Sequence, residues 1–151
     1  MNEPRPSPVM LETSKKASAI RQINAAIAHL HQGETDCAIT LAAAGEGILH
    51  ATDDPSLFKR LREYPPAQDI DFNLVINWLK HPVGPEELSI PEFEAVFVIA
   101  RAITKFTAVY HESTRRFEQF LQWGHETGYL PILYNNSISS TGQPGPTEGL
   151  P

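Results

Sequence analysis

The sequence predicts an all-α fold, a bundle of four long helices with one or two short ones. Three observations carry this reading. Apolar residues recur at helical spacing in several segments. No segment alternates apolar and polar residues with a period of two. The 13 prolines of the 151-residue chain avoid two long stretches, Leu11 to Asp54 and Glu92 to Leu130. Six of them lie from Pro55 to Pro91, and the other seven in residues 1–10 and 131–151. Proline interrupts helices and marks their boundaries, so this distribution outlines a helical body between two irregular ends.

Ser14 caps the first predicted helix, which runs to about Gln32. Its Ile20, Ile23, Ile27 and Leu30 recur at intervals of 3, 4 and 3, one face of a helix. Gly33 is a C-terminal stop. Thr35 or Asp36 caps the second helix, expected to reach His50. There Ala38, Leu41, Ala42, Gly45, Ile48 and Leu49 share a face. Many of these are small, so the first two helices are expected to approach closely as an antiparallel hairpin. Asp54-Pro55 opens a short third helix through about Glu63, and Tyr64-Pro65-Pro66 ends it. The fourth runs from Asp69 to Lys80 with Phe72, Val75, Ile76 and Leu79 inward, and His81-Pro82 stops it. Residues 82–90 form a loop.

Ser89 and Glu92 have the spacing of a capping box, with Pro91 in the first turn. The fifth helix that follows is the most apolar. Phe93, Val96, Phe97, Ala100, Ile103 and Phe106 or Thr107 form its stripe, which Val98 and Ile99 widen. It is therefore expected at the centre of the bundle, contacted from more than one side. Ser113 or Thr114 caps the last helix, with Phe117, Phe120 and Leu121, which ends near Gly124 or Gly128. The expected organisation is a flexible segment at 1–12, the bundle at 13–128, and a tail rich in Pro, Gly and Ser at 129–151. Residues 129–134 are apolar enough to dock on the body or on a partner.

A chain with 41% hydrophobic and 20% charged residues has the material for a core. Its formal net charge of -6 repels phosphate at long range and disfavours generic nucleic-acid binding. Arg115-Arg116 is the only adjacent arginine pair. A single cysteine, Cys37, excludes an intramolecular disulfide and any multi-cysteine zinc site. Its apolar surroundings suggest a small core residue. No apolar run is long enough for a membrane span. Residues 1–10 hold three prolines and lack the apolar stretch of a secretory signal, so the expected location is the cytoplasm.

Asn73, Asn77 and His81 are four apart and form one stripe on the fourth helix, with Lys80 beside His81. An imidazole can act as acid or base near neutral pH, and an amide can orient a substrate. His81, Asn77 and Lys80 are the catalytic candidates on this basis. The plainer reading, which the sequence favours, is a solvated helix face whose C-terminal His satisfies helix carbonyls and the dipole.

Here the residues bear a family resemblance. The string Ile76-Asn77-Trp78-Leu79-Lys80-His81, before a turn and a long apolar helix, resembles the motif region of HEPN-like proteins. The Ala/Gly-rich helix around Glu46 is similar to the second helix of some of them. The resemblance covers roughly residues 14–126. It implies an all-helical, commonly dimeric bundle, with an Arg and a His from two protomers meeting at the dimer interface to cut RNA. It also implies a nucleotidyltransferase-like or antitoxin partner. On this alignment His81 takes the motif His, Asn77 the polar position, and Ile76 the Arg position. RNA cleavage of this type needs a base and a cation for the developing phosphorane charge. Isoleucine supplies no cation, so the expectation is a non-catalytic module.

Glu46 and His50 form an i, i+4 pair. Glu46 lies among small residues, and Arg101 interrupts an apolar stretch. An internal Glu46–Arg101 ion pair is therefore the plain expectation. Glu94 shares a helix face with Arg101. The repeated Glu and Glu-x-x-His segments of a di-iron bundle are missing, so no metal centre and no cofactor are expected. His29 and His31 point to different faces and read as surface residues, and His111 and His125 have no evident companions. No hydrolase grouping and no Gly-rich phosphate loop occurs. Trp78 and Trp123 read as core or interface anchors.

The function expected is a non-catalytic HEPN-like interaction module that self-associates through its fourth and fifth helices. The alternatives are an RNA-cleaving or RNA-binding protein, or a small-ligand pocket. The binding set is Asn73, Asn77, His81, Glu46 and Arg101.

Overall fold

The structure, a computed structural model, describes residues 2–51 and 71–130; of Phe72 it describes the backbone. The short helix expected at 54–63, the inward side chain of Phe72 and the tail beyond Leu130 lie outside the described residues. Among the described residues there are five helices and no strand. They are α1 (Lys15–His31), α2 (Thr35–Gly47), α3 (Phe72–Lys80), α4 (Glu92–Tyr110) and α5 (Arg115–Glu126). None is long and apolar enough to cross a membrane.

Local signals set most of the ends. Ser14 Oγ accepts from the Ala17 amide at 3.0 Å and caps α1. Thr114 Oγ1 does the same for α5, accepting from the Phe117 amide at 3.2 Å. Gly33, at φ 79°, ends α1 in the left-handed region where a side chain would be strained. Its amide donates to the Leu30 carbonyl, and the Glu34 amide donates to the His29 carbonyl, each at 3.0 Å. This is a Schellman turn, and it reverses the chain directly into α2. Residues 2–14 carry no regular secondary structure and are exposed.

Three helix starts differ from expectation, and one is that of α3, expected from Asp69, which begins at Phe72 with Asp71 as its N-cap. The N-cap of α2 is Glu34, with no side-chain cap bond. Asp36 instead accepts from the amide of Cys37 at 2.9 Å. Helix α4 begins at Glu92, and its N-cap is Pro91, so Ser89 caps nothing. The reason is steric. Proline keeps the preceding residue, Ile90, out of the helical region, so no helix can start at Ser89 and pass through Pro91. Helix α2 also stops at Gly47, short of His50.

Helices α1, α2 and α4 pack on one another, with α3 against α2 and α5 against α1 and α4. Gly45 permits the close α1–α2 approach. A Cβ there would stand 3.0 Å from Ile23 Cγ1 and 3.4 Å from the Ala19 carbonyl oxygen. Helix α4 is the centre, as its apolar width implies. Six consecutive residues, Ala95 to Ala100, are buried, so every side of that stretch is covered. Its far end meets α5 through an edge-to-face contact of Phe106 on Phe117, with ring centroids 5.4 Å apart. Leu130 tucks against Gly124, and Tyr129 donates to Glu92 Oε2 at 2.9 Å. These first residues of the expected tail therefore pack on the body.

Cys37 corrects an expectation. It is exposed, although Ala38 and Ile39 beside it are fully buried. A helix turns about 100° per residue, so neighbours of buried residues point elsewhere.

Candidate functional site

The α3 segment and the loop after it form a surface groove. Asp71 opens α3, its Oδ1 accepting from the amides of Asn73 at 3.0 Å and Leu74 at 3.2 Å. The helix then splits its faces. Val75 and Ile76 are buried, whereas Asn73, Leu74 and Asn77 are exposed. The loop folds back along the exposed side. Trp78 Nε1 donates to the Pro85 carbonyl at 2.7 Å. Gly84, at φ 96°, lies against the indole, where a Cβ would stand 3.1 Å from Trp78 Cδ1. Both the backbone angle and the close approach require glycine there.

The groove between helix and loop is lined by Asn73, Leu74, Asn77, Trp78, Val83 and Leu88, with Asp71, Gly84 and Pro85. Leu74 is 55% exposed and Val83 66%, unusual for large apolar residues. Asn73 and Asn77 thus share one surface, as their spacing implies. Leu74, Val83 and Leu88 belong to it without a motif to announce them. The one signal in the sequence was Leu74 itself, an apolar residue on the polar side of the helix.

His81 and Lys80 are exposed and do not line this groove. His81 is the C-cap of α3 in extended conformation, and its amide donates to the Asn77 carbonyl at 3.0 Å. Ile76, aligned with the motif Arg of the HEPN-like resemblance, is 7% exposed and belongs to the core. Position 76 therefore faces inward while His81 faces solvent.

Glu46 and Arg101 meet elsewhere, between α2 and α4. Arg101 Nε donates to Glu46 Oε2 at 2.7 Å. Lys105 Nζ donates to the Glu46 backbone carbonyl at 3.3 Å, satisfying an acceptor at the end of α2. The ion pair expected from sequence is present, and neither member lines the groove. His50 lies beyond the end of α2, so the helical i, i+4 geometry expected for Glu46 and His50 is not formed. Glu94 has a buried Oε2 without a hydrogen-bond donor, and burial pushes its carboxyl above the usual range.

Trp123 is half-buried in an aromatic group, 4.9 Å from His31, 5.6 Å from Phe120 and 5.9 Å from Tyr129 between ring centroids. Among the described residues one group brings three metal-ligating atoms together, those of His29, Glu34 and Cys37, within 4.8 Å of one another. His29 Nδ1 lies 3.2 Å from Glu34 Oε1. His29 reads as a surface residue in the sequence because its companions stand on the far side of a chain reversal.

Comparison with known proteins adds no family. The chain matches no protein-family model, no curated protein and no solved structure.

Proposed function

We propose that this chain is a non-catalytic helical interaction module, HEPN-like in the resemblance of its α3 segment, that pairs with a second copy of itself through the α3 groove. The observation that carries the reading is the exposure of Leu74 and Val83 along one groove beside the half-buried Trp78. Aromatic anchors surrounded by apolar contacts are the usual energetic centre of an interface. The neighbouring Asn73 and Asn77 favour a self-pairing. An amide side chain both donates and accepts, so a row of amides is complementary to its own copy across a two-fold axis. The net charge of -6 weighs against a phosphate-rich partner.

The surface proposed is narrower than the one the sequence suggested. Helix α4 spends its apolar width inside the monomer, with Ala95 to Ala100 buried. That leaves α3 and the 82–90 loop to meet a partner. The inward position of Ile76 and the outward position of His81 support a module without RNA-cleaving activity. They leave no cation beside the imidazole at the aligned Arg position.

Sedimentation of the purified full chain tests the pairing. The expected result is a concentration-dependent shift from monomer to dimer in the micromolar range, abolished by Leu74→Asp with Val83→Asp. Both residues are exposed, so the fold is expected to survive these changes. A monomer at high micromolar concentration would overturn the proposal. Cleavage of single-stranded RNA that is lost in His81→Ala would overturn its non-catalytic part.

A further inference from the structure

The turn between α1 and α2 gathers an imidazole, a carboxylate and a thiol. His29 stands in the last turn of α1, Glu34 caps α2, and Cys37 lies in its first turn. Their ligating atoms all fall within 4.8 Å of one another. The Schellman turn at Gly33 holds this arrangement. The Glu34 amide is bonded to the His29 carbonyl at 3.0 Å, so the two side chains leave the backbone from a fixed junction. The Cys37 backbone N–H in turn donates a hydrogen bond to Asp36 Oδ1 at 2.9 Å.

The dimensions suit a small tetrahedral ion. Bonds of about 2.0–2.3 Å to zinc place neighbouring ligand atoms about 3.3–3.8 Å apart. The His29 Nδ1–Glu34 Oε1 distance of 3.2 Å is close to such an edge. Rotation of the exposed Cys37 side chain can bring Sγ to the third corner. The donor set has a chemical preference. Nitrogen, oxygen and thiolate sulfur together suit zinc and its borderline neighbours, whereas magnesium and calcium take all-oxygen sites. The local field agrees. The carboxylates of Asp36 and Glu34 stand close to the Cys37 thiol and favour a cation beside it.

We infer that His29, Glu34 and Cys37 form a site for a zinc-class divalent cation, with three protein ligands and a fourth position open to solvent. His29 and Cys37 also line a shallow surface depression with Asp36, Thr40, Leu41 and Leu79. A water or another small donor completes the tetrahedron. The ion ties the end of α1 to the start of α2, and because it binds only the folded hairpin it stabilises the chain by mass action.

The competing reading is a His29–Glu34 ion pair beside an unrelated thiol, and the test separates the two. The reduced full chain is titrated with Zn2+ alone by calorimetry and with Co2+ alone by absorption. The expected result is saturation at a single ion per chain, with a thiolate-to-cobalt charge-transfer band in the near ultraviolet. Loss of an outer partner of a metal ligand costs about 10- to 100-fold in affinity, so removal of a ligand by Cys37→Ser or His29→Gln is expected to cost at least roughly that much. Circular dichroism of the variants checks that the fold is retained. Absence of saturable binding overturns the inference, and so does an affinity unchanged by Cys37→Ser.

Discussion

Arg101 Nε donates to Glu46 Oε2 at 2.7 Å, tying α4 to α2 across 55 residues of sequence. The side chains are 19% and 17% exposed, so solvent screens the pair only partly. Glu46→Gln keeps the shape and removes the charge, taking one carboxylate contact from the Arg101 guanidinium. Full burial would put the loss at about 3–5 kcal/mol and full exposure below about 1 kcal/mol. The expected cost lies between, about 2 kcal/mol, read as a lower midpoint in urea unfolding with an unchanged slope.

Gly45 and Gly47 stand two apart on α2, and the same substitution is expected to act in opposite directions. Gly45→Ala drives a methyl to within 3.0 Å of Ile23 Cγ1, a side chain with no exposure. Overpacking of this kind costs about 1–3 kcal/mol. A Cβ at Gly47 meets nothing within 4 Å. Gly47→Ala is expected to stabilise by about 0.5 kcal/mol, because alanine loses less backbone freedom on folding. Thermal melts of the two variants should fall on opposite sides of the wild type.

Burial holds the Glu94 carboxyl above its ordinary value of 4.5. The folded chain therefore binds this proton more tightly than the unfolded chain does. Between the ordinary and the raised values the folded state carries more protons, so stability falls as pH rises through that interval. The contribution is fully present below 4.5 and lost above the raised value. Glu94→Gln has no charge to desolvate. It is expected to melt higher than wild type at neutral pH, with the difference fading in acid. A difference that stays constant from acid to neutral pH would contradict this account.

His111 ends α4 at φ 53° and ψ 34°, the one positive φ among the described non-glycine residues. A side chain in this region is strained, and glycine is not. His111→Gly is expected to raise stability by about 0.5–1 kcal/mol, the gain from relieved strain exceeding the added freedom of the unfolded chain. Equal or lower stability in urea unfolding would show that the imidazole contributes contacts that outweigh the strain.

Much of the bundle was legible because it rests on local chemistry. Ser14 and Thr114 cap helices because a hydroxyl can reach an amide three residues on, whatever the rest of the chain does. Gly33 ends α1 because the turn needs a positive φ. The central place of α4 follows from apolar residues too many for one face. Even the Glu46–Arg101 pair could be anticipated, since two opposite charges set in apolar stretches need each other when buried.

What stayed hidden depended on how one element is rotated against another. Sequence spacing sets the angles between residues along a single helix, but not which of its faces turns inward. Cys37, set among apolar residues, turned outward for that reason. The α3 groove exists because Trp78 bonds the carbonyl of Pro85 and draws a loop back along the helix. His29, Glu34 and Cys37 meet only because the Gly33 turn reverses the chain between them. The sequence by itself determined the described helices, the caps of α1 and α5 and the need for a buried charge pair, all of which are short-range consequences of backbone hydrogen bonding and apolar burial. Only the tertiary structure decided which side chains share a surface, because that depends on packing across turns whose geometry no local pattern encodes.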